Sequence, residues 1–316
     1  MRAPLLVTIV LGITLSSGSS QARYPDRPIT IVVPFAAGGP TDVIARIVSD
    51  QMTRTLGHPV VIDNVTGEAG TTAVMNVVRS APDGYTLLMG HMGTHGAAPA
   101  LANVQYDPVG DFTPIGLAAD TPIVIVTRKN LPAADLASLA AHARANPETF
   151  RVAHAGEGSV SHTSARLLSS VLHISPKLVL YRGTGPAMND LAAGRVDMMT
   201  DQIVNVSPHL QKGSIKAFAI ATLKRSPVLP EVPTTQEAGL VSYQVSAWAA
   251  LFGPKDIEPA IAKVLSNALV ETLDDDITRK RLLDLGAVIP ARSERSPGAL
   301  VDLVRREVER WRRDLN

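Results

Sequence analysis

Ser159 stands three residues before His162, a spacing that brings a hydroxyl and an imidazole to one face of a helix start. Nucleophilic catalysis uses that pairing, with histidine as the base. No Gly-x-Ser-x-Gly elbow frames this serine, and no third residue is evident to orient the histidine. A hydrogen bond to a bound carboxylate is the better reading, with helix capping by Ser159 or Ser161 as the alternative. His91 and His95 have the spacing of a metal pair on a helix, yet Gly90 and Gly93 interrupt regular helix there and no third ligand is near. No metal and no cofactor is expected; Thr94 and His95 are read as lining a cleft or as plain loop. Arg182 can pair with a carboxylate through its fork, or form a surface salt bridge. Asp201 can accept a hydrogen bond from a ligand hydroxyl, amine or protonated acid, or cap a helix.

These residues sit in or near four glycine-rich turns, each running from an apolar strand into a helix. The turns are Phe35-Ala36-Ala37-Gly38-Gly39-Pro40-Thr41-Asp42, Gly90-His91-Met92-Gly93-Thr94-His95, Gly156-Glu157-Gly158-Ser159-Val160-Ser161-His162 and Arg182-Gly183-Thr184-Gly185-Pro186. A helix start has unpaired N–H groups and a partial positive charge, and glycine lets a ligand approach them. Such a turn receives an anion without lysine or arginine. Gly38 and Gly39 are accordingly read as ligand contacts. Asp42 would repel an anion, so it is expected to hold a water or a backbone N–H.

The elements that must position these turns alternate. Strands are predicted at 29–33, 60–62, 85–89, 122–126, 150–153, 177–181, 196–199 and 217–221. Helices are predicted from Pro40 to a stop at Gly57, and at 71–79, 134–145, 161–172 and 186–194. Two further helices close the chain. The fold class is α/β, with two doubly wound domains joined by two crossover strands and a cleft between them. One lobe would comprise 23–121 with 223–316 and the other 122–222; closure would be a hinge motion.

Residues 1–22 read as a signal peptide: a basic start at Arg2, an apolar run over 5–15 too short to span a bilayer, and a cleavage-like Ser20-Gln21-Ala22. A periplasmic protein is the expectation. There is no cysteine, and a chain this long can bury enough surface without disulfides. Lys+Arg number 30 against 29 Asp+Glu, and aromatics make up 4%, so neither a nucleic-acid surface nor base stacking is suggested.

Ordered motifs across the chain carry a resemblance. They are Tyr24-Pro25-Asp26-Arg27-Pro28-Ile29, the first glycine turn, Pro82-Asp83-Gly84-Tyr85-Thr86-Leu87-Leu88, Tyr106-Asp107-Pro108 with Asp111-Phe112-Thr113-Pro114, Gly156-Glu157-Gly158-Ser159, Tyr181-Arg182-Gly183 with Pro186-Ala187, and Leu229-Pro230-Glu231-Val232-Pro233-Thr234. The chain resembles the Bug-type extracytoplasmic solute receptors of tripartite tricarboxylate transporters. The resemblance implies a two-lobed binding protein, not an enzyme, that delivers a carboxylate-bearing solute to membrane permease subunits. It implies that the first turn (Phe35, Ala37, Gly38, Gly39, Thr41, Asp42) and Gly158–Ser159 pinch one carboxylate. Thr94, His95, His162, Arg182, Gly183, Thr184 and Asp201 would shape the rest. Ligands of such proteins include di- and tricarboxylates, aromatic acids and acidic amino acids. Arg182 stands where lysine is common, and Thr200 where an aromatic residue is common. The alternatives are a ligand-sensing subunit of a two-component system and a periplasmic hydrolase using Ser159.

Overall fold

β1 (Ile29–Val33) is apolar at four of its five positions, and those four are buried. A strand covered on both faces needs that composition. The computed structural model describes residues 24–315, so the expected signal peptide lies outside the described residues. β2 (Val60–Asn64) and β3 (Thr86–His91) flank β1 in parallel. α1 (Pro40–Leu56) follows β1, with Pro40 in its first turn and Gly57 closing it at φ +70. α2 (Thr71–Val78) leads into β3, and a π-helical turn (Gly93–Ala97) and α3 (Ala98–Leu101) follow it.

β4 (Phe112–Arg128) then runs for 17 residues through the middle of the molecule. Its first part pairs antiparallel with β9 (Ser246–Pro254), which also pairs with β3. Its last part pairs antiparallel with β7 (Met198–Gln202) and β8 (Ile215–Ile220). β5 (Arg151–His154) lies parallel to β7 and to β6 (Lys177–Leu180). The strand order is β2-β1-β3-β9-β4-β7-β5-β6, with β8 beside β4. The remaining helices are α4 (Leu136–Ala145), α5 (Val160–Leu172), α6 (Thr184–Ala192), α7 (Ile203–Gln211), α8 (Pro259–Asp274), α9 (Asp276–Asp284) and α10 (Pro297–Leu315).

Strand residues alternate between two apolar layers. Val32, Leu88, Ile123 and Ile125 belong to one; Ile31, Leu87, Val124 and Val126 belong to the other. Each layer draws on both ends of the strand order.

The structure differs from the sequence reading in places with clear causes. The strand predicted at 122–126 is the tail of β4, whose earlier part holds Pro114 and Gly116. Register shifts at Pro114/Gly116 and Leu117/Ala119 accommodate them, as bulges do. β9, rich in alanine and buried on both faces, shows no alternation to detect. β7 begins at Met198 and extends to Gln202, and α7, with Pro208 inside it, follows directly.

Candidate functional site

Four helices begin around one small cavity. Thr41 comes from the first turn of α1, Ser159, Val160 and Ser161 from the start of α5, and Thr184 from α6; Gln202 precedes α7. Each helix directly follows a strand, so the cavity lies at the carboxyl ends of β1, β5, β6 and β7, where open α/β sheets bind ligands. Phe35, Pro40, His91, Ala155 and Asp201 complete the lining. Gly39, Gly183 and Gln202 give their helices no side-chain cap, leaving N–H groups at those three starts for another acceptor. Among the described residues, no lysine or arginine lines the cavity. Helix termini and neutral donors there favour an anion, with the Asp201 carboxyl the one opposing group among the described lining residues.

The first turn is held from behind. The Asp42 carboxylate accepts the Gly38 N–H at 2.9 Å and bonds from Arg46 and Asn64. Burial pushes that carboxyl upward, but Arg46, the Gly38 N–H and Asn64 outweigh it and hold it below its usual range. Asn64 also donates to the Phe35 carbonyl at 3.0 Å. Asp42 thus grips the turn through a backbone N–H, as its charge required. Ala37, Gly38 and Gly39 shape the turn without lining the cavity.

In the second turn His91 lines the cavity. Its Nδ1 accepts N–H groups of Gly93 and Thr94 at 2.8 and 3.3 Å. The neutral ring therefore carries its proton on Nε2 and is a donor there. Burial lowers its pKa to about 3, so it stays neutral, and Phe35 stacks on it with centroids 5.1 Å apart. Thr94 and His95 lie behind: the Thr94 hydroxyl bonds to His91 and His95, and His95 stacks on Phe252 at 4.0 Å, fully buried. The π-helical turn sends His95 into the core.

In the third turn Ser159 caps α5, accepting the His162 N–H at 3.3 Å. The His162 ring faces elsewhere: its Nδ1 accepts the Gly158 N–H at 3.3 Å, and the ring packs 5.0 Å from His154. The two side chains do not form a nucleophile–base contact among the described hydrogen bonds; both capping and cavity lining hold for Ser159. Gly158 has φ +82, and a Cβ on it would lie 3.0 Å from Ala98. Ser159→Ala is expected to cost about 1 kcal/mol of stability through the lost cap, read by urea unfolding.

In the fourth turn Arg182 is exposed in an outer groove with Glu68 and Glu157, while its carbonyl accepts the Ala36 N–H at 3.4 Å. Gly183 packs against the first turn: a Cβ on it would lie 3.2 Å from Ala36 N. Thr184 reaches the cavity. Asp201 lines its floor at 1% exposure, accepting the Gln202 N–H at 2.9 Å and the Asn205 amide at 2.5 Å. Burial pushes its carboxyl up to about 6 against those bonds. Thr200 turns away, bonding Ser164 at 2.7 Å. Sequence reasoning did not single out Gln202 or Asn64, nor His91 as a donor. Among the described residues no group of three or more His, Cys, Asp or Glu could hold a metal ion.

The model of the TctC family, described as the tripartite tricarboxylate transporter family receptor, matches residues 44–313. The chain is similar to MatC from Rhodopseudomonas palustris, solved with bound malate, at 44% identity and TM-score 0.91 over 93% of this chain and 100% of that one. It is similar to the periplasmic binding protein BugD at 38% identity and TM-score 0.88, over 92% and 97%. It is also similar to a second R. palustris protein, solved with adipate, at 32% identity and TM-score 0.87, over 92% and 97%.

Proposed function

The chain belongs to the tripartite tricarboxylate transporter receptor family, and from that premise we propose that it captures a small dicarboxylate between its sheet halves and delivers it to the membrane subunits of a transporter. The observation that carries this reading is the convergence of four helix starts on a cavity without lysine or arginine. Such a site grips a carboxylate by N–H and O–H donors and releases it without breaking an ion pair. Residues 23–121 with 223–316 form one lobe and 122–222 the other, and they close over the ligand by a hinge motion. The protein works in the periplasm after losing residues 1–22, and binds without catalysing a reaction.

The ligand is compact. The cavity among the four helix starts is small, with Phe35 and His91 at its border. Malate bound to MatC and adipate bound to the second relative support a dicarboxylate as its chemical class. Phe35, Thr41, His91, Ser159, Ser161, Thr184, Asp201 and Gln202 are the contacts we assign to it.

The test is a thermal-shift panel on protein freed of co-purified ligand by partial unfolding. Succinate, malate, adipate, citrate, phthalate, nicotinate and glutamate form the panel. A four-carbon dicarboxylate at 100 times its Kd is expected to add about 2.7 kcal/mol and raise Tm. A panel with no shift would sink the reading, and so would ester hydrolysis that disappears in Ser159→Ala.

A further inference from the structure

We propose that the cavity takes up one proton with each dicarboxylate it captures, and that Asp201 carries that proton and donates it back to the ligand as a hydrogen bond; this rests on the carboxylate-binding function proposed above.

Asp201 is a carboxylic acid on the floor of an anion site. Its neighbours are the Gln202 N–H, the Asn205 amide and the Thr184 hydroxyl, all uncharged. It takes part in none of the ion pairs among the described residues. No cation lines the cavity there either. A doubly ionised ligand beside an ionised Asp201, itself 1% exposed, would bring three negative charges together at a small site with no cation in its lining. Carboxylates forced together share a proton instead. With the proton on Asp201, its O–H points a donor at a ligand carboxylate oxygen, matching the Nε2–H of His91 and the hydroxyls of Thr41 and Ser159.

The surrounding elements supply no rival for the proton. His91 shares the cavity, but protonating its Nδ1 would expel the Gly93 N–H. His154 and His162 spend Nδ1 on Gly156 and Gly158 in the same way. On α1 Asp42 is paired with Arg46, on α6 Asp190 with Arg195, and on β4 Arg128 with Asp197. Asp120 of β4 is held by Ser246 and Thr121 and feels Glu307 and Glu294. Arg166 of α5 lines a separate surface depression, and His209 of α7 contacts Ser214.

The sign follows. Free Asp201 is largely protonated below about pH 6 and ionised above it. Binding at low pH therefore needs no added proton, and binding at higher pH needs one. Calorimetric titration of the whole mature chain with L-malate and succinate, from pH 5.5 to 8.5 in buffers of different ionisation enthalpy, counts the protons. Uptake is expected to climb toward one per ligand by pH 8, with Kd worsening toward tenfold per pH unit. Asp201→Asn, which keeps a neutral donor, is expected to abolish the uptake and flatten the profile. His154→Asn, outside the cavity lining and with an oxygen that can still accept the Gly156 N–H, is expected to keep it. Binding without uptake at pH 8 in the native chain overturns the proposal, as does uptake that survives Asp201→Asn or vanishes in His154→Asn. Should Asp201→Asn fail to fold, the native proton count and His154→Asn still decide. No binding of either acid at any pH would overturn the function itself, a separate result.

Discussion

Gly39→Leu is expected to lose dicarboxylate affinity by about 5- to 150-fold, while Gly39→Ala stays within about threefold, the two measured side by side by calorimetric titration. Those factors correspond to roughly 1–3 kcal/mol of overpacking. Gly39 has φ −82 and ψ 169, a conformation any residue adopts ahead of a proline. A Cβ there would sit 3.6 Å from the Ala36 carbonyl, 3.7 Å from Gly185 N and 3.8 Å from the Thr184 hydroxyl, which is ordinary contact. Leucine adds three carbons where the 183–185 turn already lies. The two turns would be held apart, and a ligand needing both would meet fewer closed molecules. Unfolding of the ligand-free chain should change little, because the strain falls on the seam between sheet halves. Equal affinity for both variants would remove the seam from the mechanism. Gly185→Ala attacks from the other side, where a Cβ would meet Gly38 and Gly39 backbone at 2.9 to 3.1 Å. Pro186 follows it, however, and adds a local cost inside α6, so the Gly39 pair is the cleaner test.

Trp311→Ala is expected to destabilise the protein by about 3–5 kcal/mol, measured by urea or thermal unfolding. Trp311 is fully buried on α10, and its indole N–H donates to Glu307 at 3.2 Å. A Cβ on Gly96 would meet the same ring at 3.5 Å, so α10 lies directly against the π-helical turn. That turn supplies the N–H groups that fix the His91 tautomer. Loss of the indole therefore loosens the donor end of the cavity as well as the core. Affinity should fall along with stability, whereas Trp311→Phe should recover most of both. Full stability in Trp311→Ala would mean that α10 packs far more loosely than its burial indicates.

Much of the site was legible because glycine, proline and small hydroxyl residues announce where a strand stops and a helix begins. The turns before α1, α5 and α6 could be read that way. The start of α7 could not: Asp201 and Gln202 carry no glycine, and Pro208 inside α7 disguises the helix. Asn64 acts on Phe35 and Asp42 from 29 and 22 positions away, a relation that no local pattern encodes. The role of His91 depends on where two backbone N–H groups point, and its sequence neighbours gave only the spacing of a metal pair that Gly90 and Gly93 argue against. The doubly wound layout was legible from alternating apolar runs. The central strand β4 was legible only in part, because Pro114, Gly116 and Asp120 look like loop chemistry until β9 pairs with them.

The seam between the sheet halves is made mostly of backbone. Gly183 and Gly185 meet 36–39, Gly156 meets Ala69, and Gly158 meets Ala98. Contacts of this kind do not depend on which side chains line the cavity. Substitutions at Thr41, His91, Ser161 or Gln202 can therefore accumulate while the closing surface stays the same. With the closure proposed above, recognition and closure become separately heritable, and one scaffold can drift from acid to acid without relearning how to shut.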